Sequence, residues 1–293
     1  MSKKLLALVL ALVMLLPMLA AAESVTVTDM YGRSVTLPAP AERIIALTAA
    51  DCEILCALGC EEKLVARGEY CNYPESILAL PVVQSGAETN LEEILALDPQ
   101  VVLMSDMAQA KEVVDALENS GVRVAVSNAD TIEGTYEAIR MIGGLAGKTA
   151  EAEALVADME ASFAAIREKS ADAGKTVYFE VSPLEWGLWA AGAGTFMDEI
   201  AQMCGLTNIF ADVEGWAAVS EEQVLLRDPD VIVTIAMYFG EGPTPVEEIM
   251  SRGSWAEVSA VKNNRVVNLD SDMLSRPGPR LVDAAEALME AIR

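Results

Sequence analysis

Hydrophobic residues recur every three or four positions through residues 149–169, and charged residues fill most of the remaining positions. The recurring apolar positions are Leu155, Met159, Phe163 and Ile166. No glycine or proline interrupts the stretch, so the pattern predicts one long amphipathic helix. Thr149 is the candidate N-cap residue, although Ala152 stands where a capping box would place glutamate.

A similar sixteen-residue pattern stands on each side of this helix. Residues 90–105 (NLEEILALDPQVVLMS) and residues 220–235 (SEEQVLLRDPDVIVTI) align without a gap, with Glu92 opposite Glu222. Each copy predicts a short helix that begins after Asn or Ser and stops before an Asp-Pro pair, because proline cannot continue it. A β-branched strand then follows. We interpret the repeat as a duplicated architecture, although helix–loop–strand units are common in parallel-sheet proteins.

Predicted strands alternate with predicted helices in both halves, after an opening hairpin over residues 24–38. This order predicts an α/β fold of two Rossmann-like lobes, each with a parallel sheet, joined by one long linker helix. The predicted divisions are a leader over residues 1–22, a first lobe over 23–147, the linker over 148–170 and a second lobe over 171–293. In such a fold, ligands bind at the carboxyl ends of the strands, which here means between the lobes.

The first 22 residues have the pattern of a secretory signal peptide. Lys3 and Lys4 precede an apolar run that ends in Ala20, Ala21 and Ala22. We expect cleavage after Ala22 and export to the periplasm or cell exterior. No cysteine follows the apolar run, which predicts a soluble protein rather than a lipoprotein.

Charge and composition exclude several classes of function. The formal net charge of −25 disfavours a nucleic-acid partner, because phosphate binding requires a basic surface. The chain has no histidine, which excludes Ser-His-Asp and Cys-His catalysis and histidine-ligated zinc. The glycine-rich residues 143–149 follow a predicted helix and lack the first glycine of a phosphate-binding loop, so nucleotide binding is not predicted.

The five cysteines do not predict a metal site. Cys52, Cys56 and Cys60 are spread along one predicted helix over about 12 Å of rise, too far to converge on one ion. Export permits a disulfide, and Cys52 with Cys71 is the preferred pair, since both lie at the same expected edge of the first sheet. At least one thiol stays free because the count is odd.

Aromatic residues are scarce, yet many stand in predicted loops in both halves. They are Tyr70, Tyr73, Trp186, Trp189, Trp216, Tyr238 and Phe239, with Met104, Met107 and Met237 near comparable strand ends. Loop placement favours a pocket for a large, partly apolar ligand over core packing. Arg276 and Arg280 follow the last predicted strand, and either a carboxylate partner or an anionic ligand explains Arg280 at a helix start.

Several segments together resemble the solute-binding proteins of ABC importers for ferric siderophores, haem and cobalamin. The segments are residues 43–55 (RIIALTAADCEIL), 69–74 (EYCNYP), 90–94 (NLEEI), 205–210 (GLTNIF), 216–224 (WAAVSEEQV) and 276–280 (RPGPR). The resemblance covers essentially the whole chain after the leader, and it implies the fold known as class III, two α/β lobes bridged by a single helix.

Within that family the pattern is most similar to the cobalamin-binding proteins. The similarity implies a ligand-binding set of Ala50, Tyr70, Trp189, Trp216, Asp272 and Arg276. Two tryptophans of those proteins fall here on Gly86 and Ser105. The resemblance also implies that Glu92 and Glu222 dock onto arginines of a permease dimer, whereas the helix dipole offers a simpler reason for acids at those positions.

The sequence therefore predicts a binding protein without catalysis, a monomer with no intrinsic cofactor. It is expected to capture a metal chelate, ferric siderophore or cobalamin, and to deliver it to a permease with its cytoplasmic ATPase. Haem is the alternative ligand within the family. An exported α/β enzyme using carboxylate acid–base catalysis and a surface adhesion or signalling module are the alternatives from other classes.

Overall fold

The computed structural model describes residues 24–85, 89–105, 111–170, 174–238 and 240–293. The strands in the described residues are β1 (Val25–Thr28), β2 (Ser34–Leu37), β3 (Ile44–Ala46), β4 (Leu64–Gly68), β5 (Val82–Val83), β6 (Val101–Met104), β7 (Arg123–Val126), β8 (Lys175–Ser182), β9 (Trp189–Ala191), β10 (Leu206–Asn208), β11 (Trp216–Ala218), β12 (Val231–Thr234) and β13 (Val266–Asn268). The helices are α1 (Ala49–Ala57), α2 (Leu91–Ala96), α3 (Lys111–Asn119), α4 (Ile132–Ala146), α5 (Thr149–Lys169), α6 (Phe196–Met203), α7 (Glu221–Arg227), α8 (Pro245–Ser251), α9 (Ser259–Lys262), α10 (Ser271–Leu274) and α11 (Leu281–Ala291). The predicted leader, Gly86 and Met107 lie outside the described residues, as does Phe239.

The first lobe is built on a parallel sheet with strand order β5-β4-β3-β6-β7. Its central strands β3 and β6 are fully buried and consist mainly of β-branched or aliphatic residues, as strands covered on both faces require. The predicted hairpin forms as the antiparallel pair β1–β2. Gly32, at its turn, has the positive φ of +74° that glycine adopts without steric cost. The carboxyl ends of β3 and β7 point toward the second lobe, where they begin the ligand-facing segments described below.

The second lobe has a mixed sheet rather than the purely parallel one that we predict from the alternation of elements. Strands β8, β12 and β13 run parallel, and β10 pairs parallel with β8. Strands β9 and β11 extend the sheet in antiparallel pairs from β8. These two strands are three residues long and rich in alanine and tryptophan, so they lack the alternation by which strands are recognised. The parallel part still places its carboxyl ends toward the first lobe.

The repeated units form the same structure in both lobes. Helices α2 and α7 begin at Asn90 and Ser220, whose side chains accept hydrogen bonds from backbone N–H groups of the first turn. The two units have the same burial pattern at every position from Leu91 to Gln100 and from Glu221 to Asp230. Asp98 and Asp228 both have positive φ values, of 48° and 42°, at the turn before proline. The prediction of a duplicated helix–turn–strand unit is therefore confirmed.

The linker helix α5 extends over Thr149–Lys169, the range that the apolar periodicity predicts. Its N-cap is Lys148, which makes no side-chain capping bond, so the prediction of Thr149 as the cap is wrong. Val156, Phe163 and Ile166 belong to one continuous core that includes residues of both sheets. No helix among the described residues has the length and apolar character needed to cross a bilayer.

Candidate functional site

A cavity of about 370 Å³ lies between the two lobes. The first lobe contributes residues 48–51, at the start of α1, and residues 127–130, directly after β7. The second lobe contributes Phe196, Trp216 and Arg276. Both segments of the first lobe follow the carboxyl ends of parallel strands, where α/β sheets bind their ligands. The size falls within the range of small-molecule sites in proteins.

Trp216 forms an aromatic wall of this cavity. Its ring lies 5.3 Å from the ring of Phe196, centroid to centroid, at an angle of 60°. Its indole Nε1 donates a hydrogen bond of 3.0 Å to Oδ1 of Asp130 in the first lobe. The backbone N–H of Phe196 also donates to the carbonyl of Asp130. The tryptophan is thus held in place by a contact that spans the two lobes, and its face remains available to a flat or apolar ligand.

Arg276 also lines the cavity and connects the lobes. Its Nη1 donates to Oε1 of Glu53 at 3.1 Å and to Oδ1 of Asn72 at 2.7 Å. Its Nη2 donates to Asp272 at 2.5 Å and to the carbonyl of Tyr70 at 3.2 Å. Asn72 in turn donates to Asp272 at 2.7 Å. These groups satisfy much of the guanidinium, so a ligand meets an arginine that is already oriented by two carboxylates.

Arg280 is explained by the structure as a partner of a carboxylate. Its Nε and Nη2 donate to the two oxygens of Glu53 at 2.8 and 2.6 Å. Its guanidinium also lies over the ring of Tyr73, 4.1 Å from the centroid. Arg280 is absent from the described cavity lining. Of the two explanations open from the sequence, the carboxylate pair is the one that the structure shows.

Asp51 is the unusual group of the site. It lines the cavity, yet its side chain is fully buried in the third position of α1. Ser127 donates a hydrogen bond of 2.5 Å to Oδ1, while Oδ2 has no partner among the residues that the structure describes. Burial raises the pKa of the Asp51 carboxyl to about 6, and the hydroxyls of Ser127 and Thr48 oppose that rise.

The structure separates the sequence-predicted ligand set into three groups. Ala50, Trp216 and Arg276 line the cavity. Asp272 reaches it only through its bonds to Arg276. Tyr70 and Trp189 are outside the described lining, with exposed fractions of 72% and 43%. Their roles in binding remain predictions.

The other predicted aromatic and methionine residues do not share this cavity. Trp186, Met237 and Tyr238 are exposed outside the described lining. Met104 packs in the core of the first lobe, so the prediction that it lines the cleft is wrong. Ser105, one of the two positions where cobalamin-binding proteins have tryptophan, does line the cavity, with its small side chain.

Sequence reasoning missed Asp51, Ser127 and Asp130, which line the cavity. A signal was available for the last two, since they follow a predicted strand at its carboxyl end. Asp51 gave a misleading signal, because an acid in the first turn of a helix is normally a surface residue favoured by the helix dipole.

Cys52, directly after Asp51 in α1, and Cys71 both contact the backbone carbonyl of Ala46. Both are buried, and their Sγ atoms are 3.7 and 3.8 Å from the carbonyl oxygen of Ala46. The hydrogen bond to Cys71, reinforced by burial, raises the pKa of the Cys52 thiol far above its usual value. All five cysteines are present as free thiols. The two thiols approach the same carbonyl oxygen, and the Cys52–Cys71 disulfide stays a prediction.

Comparison with known proteins identifies the family. The model of the periplasmic binding protein family matches residues 44–273, which include both lobes and the linker helix. The chain belongs to this family. The resemblance that the sequence motifs indicate, and the two-lobed class III fold that it implies, are both confirmed.

Two curated relatives place the chain within the periplasmic binding proteins. It is 32% identical over 275 residues to the uncharacterized ABC transporter substrate-binding lipoprotein YvrC of Bacillus subtilis, covering 92% of this chain and 85% of YvrC. It is 32% identical over 251 residues to the vitamin B12-binding protein of Vibrio cholerae, covering 85% of this chain and 88% of that protein.

Solved structures agree with this assignment. The vitamin B12 binding protein BtuF of Vibrio cholerae is 30% identical with a TM-score of 0.70, covering 86% of this chain and 97% of BtuF. The haem binding protein HutB of Vibrio cholerae has a TM-score of 0.78 at 24% identity, covering 85% of this chain and 98% of HutB. At that identity, the second likeness shows a shared fold alone.

Proposed function

We propose that the chain is the extracytoplasmic binding component of an ABC importer. It captures a metal chelate, cobalamin or a ferric siderophore, between its lobes and delivers it to a permease with a cytoplasmic ATPase. The observation that carries the proposal is the cavity between the lobes, with an aromatic wall at Trp216 and an oriented guanidinium at Arg276. Haem is the alternative ligand, and a monomer is the expected form.

The chemistry of the cavity supports a chelate. Phe196 and Trp216 offer faces for a macrocycle or for the apolar ligand shell of a metal. Arg276, whose Nη1 and Nη2 each already donate two hydrogen bonds, offers its Nε–H to a carbonyl or carboxylate oxygen at the edge of the ligand. The named relatives support the same class, since one binds vitamin B12 and another is a substrate-binding component of an ABC transporter.

We propose no catalytic role for the site. General acid–base hydrolysis requires two carboxyl groups that act on the same bond. In the described lining of the cavity, the carboxylates are Asp51 and Asp130, and Asp130 is engaged by Trp216. The family consists of binding proteins, which supports transport rather than turnover.

The binding role is tested by calorimetric titration of residues 23–293 with cyanocobalamin, ferrioxamine B and haemin. We expect one of these chelates to bind at one-to-one stoichiometry. Trp216→Ala is expected to weaken its binding about 10- to 100-fold, because a buried aromatic contact is lost. Trp186→Ala is the matched control, since Trp186 is 76% exposed and outside the described lining, and it is expected to leave affinity within about twofold. If none of the three chelates binds, the proposal is wrong.

Docking to the permease is the second part of the proposal. Glu92 and Glu222 are exposed at corresponding positions in the first turns of α2 and α7, one in each lobe. Hydrogen bonds from the backbone and from Ser220 lower the pKa of Glu222, so it stays ionised at neutral pH. We propose that each glutamate pairs with a basic residue on one half of a two-fold permease.

Charge reversal separates docking from ligand capture. We expect Glu92→Lys/Glu222→Lys to abolish most chelate uptake through the cognate permease while leaving chelate affinity within about twofold, because neither residue is in the described cavity lining. Glu137→Lys, at another exposed glutamate, makes the same kind of charge change away from these helices. Uptake that survives the double reversal, or that is equally lost with Glu137→Lys, contradicts the docking assignment.

A further inference from the structure

The geometry points to Asp51 as a specificity-determining residue that selects chelates carrying an N–H or O–H donor at the buried edge and disfavours chelates whose edge is carboxylate. This inference rests on the proposed binding function and narrows its ligand class. It is carried by a carboxyl group that is completely buried, that lines the inter-lobe cavity and that leaves one oxygen without a partner among the described residues.

The missing partner is costly unless the cavity's occupant supplies it. A buried polar atom without a hydrogen bond costs about 1–3 kcal/mol, and more when the group is charged. Oδ1 is satisfied by the hydroxyl of Ser127, which follows β7 on the neighbouring segment of the wall. Oδ2 is an acceptor when the carboxyl is ionised, so a donor held in the cavity is the group that completes it.

The charges around Asp51 point the same way. In the described lining, the charged groups are Asp51, Asp130 and Arg276. Arg276 is already matched by Glu53 and Asp272, so the guanidinium does not neutralise Asp51. The thiol of Cys52, next along α1, stays protonated because its pKa is raised. A ligand that brings further carboxylates meets two acids there, whereas a ligand that brings amide, hydroxyl or ammonium groups meets acceptors.

Three chelates with different polar groups at their edges test this selectivity. Cyanocobalamin presents side-chain amides, ferrioxamine B presents an ammonium group, and haemin presents propionates. We expect the wild-type protein to bind cyanocobalamin or ferrioxamine B more tightly than haemin at pH 7.5. Because the pKa of Asp51 is about 6, the carboxyl is largely protonated at pH 5. Protonation turns Oδ2 from an acceptor into a donor, so affinity for the donor-bearing probe is expected to fall about tenfold from pH 7.5 to pH 5.

Variants assign that pH response to Asp51. Asp51→Asn keeps the size of the side chain, and we expect it to bind the same probe about tenfold more weakly at pH 7.5, with no change down to pH 5. Ser127→Ala removes a hydroxyl that lowers the pKa, so the midpoint of the response is expected to move to higher pH. Glu137→Gln, at an exposed acid outside the described lining, is the control and should retain both the affinity and the pH response. Thermal unfolding verifies that each variant is folded.

The outcomes separate this inference from the function on which it rests. Tightest binding of haemin, or a pH response that persists in Asp51→Asn, overturns the role of Asp51 and leaves the binding function intact. If none of the three probes binds, the proposed function is wrong and this inference falls with it. A donor-bearing probe whose pH response disappears in Asp51→Asn and shifts in Ser127→Ala establishes Asp51 as the selecting group.

Discussion

Replacing Arg252 with methionine is expected to lower the free energy of unfolding by about 3–5 kcal/mol, because it leaves a buried carboxylate without its partner. Arg252 and Glu180 are both buried, and two hydrogen bonds of 2.7 and 3.0 Å join them. The guanidinium also donates to Glu248 and lies over the ring of Trp255 at 4.4 Å from the centroid. Chemical denaturation of the wild type and the variant measures the difference.

The stability that Arg252→Met loses should be smaller at acidic pH than at neutral pH. Burial already raises the pKa of Glu180, with Arg252 opposing that rise. Without Arg252, the folded state holds a proton on Glu180 more tightly than the unfolded chain does. The difference in stability between Arg252→Met and the wild type is therefore expected to shrink as the pH falls from neutral toward the ordinary pKa of a glutamate.

Two further variants show whether the unpaired charge is the cause. Arg252→Met/Glu180→Met removes both buried charges, and we expect it to recover most of the lost stability. Lys111→Met breaks an exposed ion pair with Asp115 and should cost less than about 1 kcal/mol. A double variant as unstable as Arg252→Met would show that lost packing, rather than the unpaired carboxylate, dominates.

Replacing Glu53 with glutamine is expected to lower stability by about 2–4 kcal/mol and to increase the mean separation of the lobes. Glu53 lies in α1 of the first lobe and accepts hydrogen bonds from both Arg276 and Arg280 of the second. A glutamine amide presents one oxygen and two N–H groups, so part of it faces the guanidinium groups with donors. The two arginines then lose the charge that holds them between the lobes.

Small-angle scattering and thermal unfolding of ligand-free protein measure the two effects. We expect a larger radius of gyration and a lower melting temperature for Glu53→Gln. Asp130→Asn is the control at another contact between the lobes, where a neutral oxygen still accepts from Trp216, and its effect should be smaller. An unchanged radius of gyration in Glu53→Gln would mean that the remaining contacts between Asn72, Asp272 and Arg276 suffice to hold the lobes.

The sequence predicts the architecture well because each major feature leaves a periodic signal. The linker helix has uninterrupted apolar spacing, and the repeated units share their capping residues and Asp-Pro turns. The antiparallel strands β9 and β11 escape prediction because three-residue strands carry no period. Their antiparallel position beside β8 also cannot be predicted from the sequence, because it depends on pairing between distant segments.

The site is less predictable than the fold, for a geometric reason. Sequence position shows that Tyr70, Trp189 and Trp216 stand near loops or strand ends, but the direction of each side chain depends on the turn that precedes it. Only Trp216 of these three lines the cavity. Asp51 and Asp130 are part of one wall because they follow the carboxyl ends of β3 and β7, which are separated only by β6 in the sheet. That neighbourhood is known only once the strand order is known.

The linker helix has a consequence for how the protein melts. Two separate domains joined by a loop unfold independently, and either can survive the other. Here Val156, Phe163 and Ile166 of α5 belong to a core continuous with both sheets, so loosening either lobe exposes apolar surface that the other lobe also buries. The two halves therefore form one cooperative unit, and a partly melted protein with a single intact lobe is a poorly populated state.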